Sequence, residues 1–208
     1  MTEAVPYWAR AAALVALLSA VAAVDLAKHG RKATRWREYG FVLAAGAVAG
    51  LFGLANDLVT SSISPEYFIL GKGLPTESLR RSAAALGLRA GFSAGVVAAA
   101  ICVYVATRRA GRPPFPMCSL CLLMWRPFAL AAGFAALLPL LLSGFDPLGL
   151  GEGLGDLVGP HQVRRFLSVW WTHLGLYLGL LAGVVWIAVD VARKRRPERS
   201  AAEEQAQE

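Results

Sequence analysis

Charged side chains are scarce in this sequence. They make up 17% of the 208 residues, against 56% hydrophobic ones. With a mean hydropathy of +0.50, that is too little charge to cover a soluble domain with solvated surface. Cysteine is scarce too: Cys102, Cys118 and Cys121 are the only three, so one CxxC pair exists without a second beside it. Missing altogether are a long-period repeat, a phosphate-cradling glycine loop, a metalloprotease helix motif and a serine-hydrolase elbow. Several enzyme classes fall away with them, and no reaction is assigned.

The hydrophobic residues that are present arrive in blocks. A bilayer core needs about 20 mostly apolar residues in helical form, and five stretches have that length: Tyr7 to Val24, Tyr39 to Val59, Ala83 to Ala106, Cys118 to Leu142 and Phe166 to Val191. The expected fold is an all-α polytopic bundle of five transmembrane helices. Residues 1–196 read as one membrane domain, and residues 197–208 as a disordered cytoplasmic tail.

A net charge of +7 and a pI near 9.8 raise the question of nucleic acid, but the placement of the charge follows a membrane instead. Lys28, Arg31, Lys32, Arg35 and Arg37 fill the first loop, Arg108, Arg109 and Arg112 the third, and Arg193, Lys194, Arg195, Arg196 and Arg199 the tail. The alternating segments hold only Arg10, Lys72, Arg80, Arg81, Arg164 and Arg165. The positive-inside rule puts the richer side in the cytoplasm, giving an outer N-terminus and an inner C-terminus. The expected partner is the lipid bilayer, with no role for nucleic acid. A cleaved signal peptide over residues 7–24 is the rival reading, opposed by Glu3 beside a single Arg10 ahead of the apolar run.

Glycines four residues apart mark three of these stretches: Gly46 and Gly50, then Gly87, Gly91 and Gly95, then Gly175, Gly179 and Gly183. Such faces let backbones approach in lipid, so these three helices are expected to form the packed centre, or to bind another membrane protein or a second copy of the chain. Tyr7, Trp8, Trp36, Tyr67, Phe68, Trp170 and Trp171 fall where an interfacial aromatic belt would anchor the spans. The stretch from Gly144 to Pro160, rich in Gly and Pro, reads as a flexible loop.

Polar chemistry concentrates in NDLVTSSISPEYF, Asn56 to Phe68, at the outer end of the second stretch. Asp57 is an ionisable residue at membrane depth, which is costly and usually faces a bundle interior or a cavity. The Ser64-Pro65-Glu66 turn folds the chain back and brings Glu66 toward Asp57. His173 lies seven residues into the fifth stretch, roughly 10 Å from its outer end, and His161 precedes that stretch on the same side. Asp57, Glu66, His173 and His161 together suit a divalent metal or a proton relay. The structural alternative pairs Arg89 with Asp57 or Glu66, and hydrogen-bonds His173 to Tyr177 or to a backbone carbonyl.

Cys118-Ser119-Leu120-Cys121, with Arg126 shortly after, resembles the CxxC segment of DsbB-type membrane thiol oxidoreductases over about ten residues. The resemblance implies thiol exchange at Cys118 and Cys121. The expected cytoplasmic position, the displaced arginine and the missing second pair depart from it, and buried or reduced thiols are the alternative. Arg126 and Asp190 are expected to form a structural ion pair, with Pro127 kinking the helix. At NDLVTSSISPEYF, and again at Arg165-Phe166 and Val169-Trp170-Trp171-Thr172-His173, the chain is similar to a group of bacterial inner-membrane proteins of unassigned activity. In that group a histidine and aspartate precede a similar SPEYF turn; here Asn56 replaces the histidine. The resemblance implies a multi-pass protein of the bacterial cytoplasmic membrane.

Overall fold

The computed structural model describes residues 6–107, 115–144 and 146–194. The expected tail from residue 197, and Glu3, Arg108, Arg109, Arg112, Arg195, Arg196 and Arg199, lie outside the described residues. Among those described, five helical stretches are long and apolar enough to cross a membrane. They are α1 (Tyr7–His29), α2 (Arg35–Ile63), α4 (Leu79–Thr107), the broken pair α5 (Met117–Leu123) and α6 (Trp125–Leu142), and α8 (Val163–Lys194). Also among the described residues are two short α-helices, α3 (Pro65–Lys72) between α2 and α4 and α7 (Leu150–Val158) between α6 and α8. Both sit at the same end of the bundle, called here the capped end.

The SPEYF turn is in fact the start of a helix. Ser64 is the N-cap of α3, its hydroxyl oxygen accepting from the Tyr67 N–H, and Pro65 takes the first helical position, where a missing N–H costs nothing. Gly73, at φ 65°, closes the helix in the left-handed conformation that glycine adopts without a Cβ penalty. The stretch from Gly144 to Pro160 also departs from the flexible loop expected. Asp146 accepts hydrogen bonds from the N–H groups of Leu150 and Gly151 and so starts α7. Leu154 and Val158, four residues apart on one face, then pack against the cluster formed by Tyr67, Phe68, Ala83, Phe166 and Val169.

The glycine stripes work in two pairs and do not meet at one centre. On α2 and α4 the backbones meet at Gly53 and Gly87, at Ala49 and Gly91, and at Ala45 and Gly95. On α8, Gly175, Gly179 and Gly183 lie against Phe134, Leu130 and Pro127 of α6. Each glycine here touches backbone, so a Cβ would push two helices apart; that close approach supplies the van der Waals contact that drives association in lipid. Pro127 also explains the break in the fourth stretch. Its ring conflicts with the carbonyl four residues back, at Leu123, and the helix is interrupted at Met124 ahead of the proline.

α1 stands apart from these pairs, with none of its residues buried. Polar contacts of Tyr7 and Asp25 tether it. The Tyr7 hydroxyl donates to the Arg89 carbonyl at 3.1 Å, and Asp25 Oδ2 accepts from the N–H groups of Thr34 and Arg35, both at 3.0 Å. Thr34, the N-cap of α2, makes no capping bond with its own side chain, so the carboxylate of α1 satisfies donors at the positive end of α2.

Candidate functional site

Asp57 sits six residues before the end of α2 and is 5% exposed. Its position depends on Gly87 of α4, where a Cβ would come within 2.8 Å of the Asp57 carboxyl carbon. With that space free, the carboxylate turns toward α8 and meets His173: Asp57 Oδ1 and His173 Nε2 are 2.9 Å apart. The other ring nitrogen, Nδ1, lies 2.8 Å from the Val169 carbonyl oxygen. Asn56 Nδ2 donates to the same Asp57 oxygen at 3.1 Å.

As hydrogen bonds, these contacts each require a hydrogen between the two atoms. A carbonyl oxygen can only accept, so Nδ1 carries its hydrogen and points it at Val169. The contact between Nε2 and Oδ1 then needs one more hydrogen, carried either by the ring as imidazolium facing carboxylate or by the carboxyl facing neutral imidazole. In both forms the pair holds one shared proton and has zero net charge. Without that proton two acceptors would face each other in a poorly solvated place, which is costly.

Tyr67 and Phe68, expected in an interfacial belt, are instead buried against the histidine. The Tyr67 ring stacks on His173 at 4.9 Å and 24°, and Phe68 meets it edge-on at 5.8 Å. Trp171, also expected in the belt, is 5% exposed. For Tyr67 and Phe68 the reason is α3: once Ser64 caps it, the helix folds back across the end of the bundle and lays its two aromatic residues over α8. Burial, followed by the nearby charges of Asp57 and Tyr177, pushes the Tyr67 phenol up to about 12 from its ordinary 10.0. The Lys72 ammonium lies 5.4 Å from the centre of the same ring.

Beside this pair a cavity of about 150 Å³ opens between the two zippered helix pairs. Asp57, His173, Tyr67, Lys72 and Tyr177 line it, together with apolar side chains that include Phe52, Leu86, Ala90, Ala94, Phe128, Leu176 and Leu180. Sequence reasoning did not single out Lys72 or Tyr67 for this place. The available signal for Tyr67 was its position three residues after a Ser-Pro helix start.

The other candidate residues are dispersed. Glu66 accepts from the Ser64 hydroxyl at 3.0 Å within the first turn of α3, and His161 is exposed in the turn before α8. Among the described residues no three His, Cys, Asp or Glu side chains are grouped to hold a metal. A divalent ion at the pair would therefore draw on Asp57 and His173 without a third such ligand. Arg89 does not pair with Asp57 or Glu66; it is exposed on α4, its guanidinium 5.9 Å and 5.7 Å from the Tyr7 and Trp8 ring centres. Arg126 meets Asp190 at 2.7 Å near the opposite end of the bundle, with Lys194 at 3.4 Å from the same carboxylate oxygen and Trp186 stacked 4.6 Å from the guanidinium. Cys118 and Cys121 are free and exposed on α5, and Cys102 is free and buried in α4. The CxxC segment thus lies at the end of the bundle away from Asp57 and His173.

Comparison with known proteins adds no assignment: no family model matches the chain, and neither a curated protein nor a solved structure is significantly similar to it.

Proposed function

We propose that this chain is a multi-pass protein of the bacterial cytoplasmic membrane whose Asp57–His173 pair is an outward-facing proton-binding site at the head of an intramembrane cavity. The orientation follows from charge. Lys28, Arg31, Lys32, Arg35, Arg37, Arg193 and Lys194 gather at the end away from α3 and α7, and basic residues mark the cytoplasmic side. The capped end then faces outward, with the N-terminus outside and the C-terminus inside.

The observation that carries the proposal is the 2.9 Å contact between His173 Nε2 and Asp57 Oδ1, with Nδ1 committed to a carbonyl. Both ring nitrogens are occupied, His173 and Asp57 share the proton, and both side chains line the cavity. An ionisable pair within a helix bundle, beside a cavity, is the arrangement used for proton transfer or proton-linked binding.

The test is proton uptake by the purified protein in nanodiscs, wild type beside Asp57→Asn. An asparagine amide can donate to neutral Nε2, so the variant keeps the hydrogen bond and the fold, both checked by far-UV circular dichroism and by the His173 nitrogen signal. The wild type should take up one proton that the variant does not. Equal uptake by the two folded proteins across the whole titration would refute the proposal.

A further inference from the structure

Two polar groups in the cavity have no partner. Asp57 uses Oδ1 for both of its hydrogen bonds, and no donor among the described residues reaches Oδ2. The Tyr67 hydroxyl makes no hydrogen bond among the described residues either, although the residue is only 4% exposed and its ring is fixed by His173, Phe68 and Phe166. Both atoms are open to the cavity and not sealed in the protein, so an acceptor and a hydroxyl without protein partners there point to an occupant that completes them.

The rest of the lining describes that occupant. Along α2 the cavity runs from Asp57 to Ala49, eight residues or about 12 Å, and along α4 and α8 it descends past Ala90, Ala94, Leu176 and Leu180. It is therefore polar at one end and apolar for the remainder. Its volume of about 150 Å³ is the size of a cavity that accepts one small apolar molecule, enough for the head and the first carbons of one chain and too small for a two-chain lipid body. The charges at the head also discriminate. The pair is neutral with its one proton, and the free carboxyl oxygen opposes an anion. The Lys72 ammonium at the same lining opposes a cation. An uncharged head that both donates and accepts fits, and a hydroxyl does both.

We propose that the cavity binds a single-chain amphiphile with an uncharged hydroxyl head, the hydroxyl donating to Asp57 Oδ2 and accepting from the Tyr67 hydroxyl, and the chain lying along Ala90, Ala94 and Leu180. This rests on the proton-site reading, because Oδ2 is free only while Oδ1 is held by His173.

The probe is decanol, compared with decyl methyl ether, which has the same chain but cannot donate. Protein labelled with carbon-13 at the tyrosine ring is placed in phosphatidylcholine nanodiscs, and the Tyr67 signal, assigned with Tyr67→Phe, is followed during each titration. Decanol should shift it saturably, and the ether should bind about ten-fold more weakly or not at all, as expected for one lost hydrogen bond. Ala94→Leu, which fills the slot away from the pair, should abolish the decanol shift and leave the one-proton difference from Asp57→Asn intact. An equal response to alcohol and ether in the wild type, or no response to either, overturns the ligand proposal without touching proton uptake. Loss of the proton difference between wild type and Asp57→Asn overturns the underlying reading, whatever decanol does.

Discussion

Adding one methyl group at Gly87 should separate α2 from α4 and open the Asp57–His173 contact. A Cβ there would run into the Gly53 carbonyl oxygen and would lie 2.7 Å from the Gly53 carbonyl carbon and 2.8 Å from the Asp57 carboxyl carbon, where ordinary contact begins at 3.4 Å. Two of these three atoms are backbone, so no side chain can rotate away and the helices must give by more than half an ångström. Moving Asp57 by that much takes its 2.9 Å contact with His173 to about the limit beyond which it is no hydrogen bond. Overpacking of this kind costs about 1–3 kcal/mol, and an interhelical hydrogen bond in a membrane protein adds about 0.6 kcal/mol. After the ~0.5–1 kcal/mol that alanine returns in a helix, Gly87→Ala should therefore lose about 1–3 kcal/mol. Gly133→Ala is the control: nothing lies within 4 Å of its Cβ position, and a helical glycine replaced by alanine gains about 0.5–1 kcal/mol. Reversible unfolding in mixed micelles, followed by circular dichroism, measures both. If Gly87→Ala stays within about 0.5 kcal/mol of the wild type, the close backbone approach is not what holds these helices.

Three further outcomes are expected. The Tyr67 phenol, raised to about 12 by burial first and Asp57 second, favours the folded state with its proton on. That contribution is complete below pH 10 and disappears as pH rises through about 12; the phenolate absorbance removed by Tyr67→Phe should appear only near the upper value, and a component titrating near 10 would contradict the burial. In a double-mutant cycle with Arg126→Gln and Asp190→Asn, the partly exposed pair, with side chains 17% and 20% accessible, should couple by about 1 kcal/mol in the same unfolding assay; additive losses would deny the pair any energetic role. A membrane-impermeant maleimide should reach Cys118 and Cys121, both exposed, only from the cytoplasmic face of membrane vesicles, and labelling from the other face would reverse the proposed orientation.

The sequence by itself determined the five membrane-length helices, because length and hydropathy are local properties that a helix satisfies within its own backbone. It also placed Asp57 and His173 in the same half of the chain's crossing, from their depth in stretches of opposite direction. It did not disclose α3 and α7, which at 8 and 9 residues are too short to show a helical period and whose starts depend on the caps from Ser64 and Asp146. Only the tertiary structure decided which helices pair. In lipid a helix gains nothing from hiding apolar surface, so the glycine stripe of α8 did not reveal whether it would close on α4 or on α6; backbone contact with Phe134, Leu130 and Pro127 settles it for α6. That choice leaves the space between the two pairs as a cavity, and sets Asp57 and His173, 116 residues apart in the chain, at hydrogen-bond distance beside it. Such a distance depends on helix rotation and on the missing Cβ at Gly87, neither of which is carried by the pattern of any one segment.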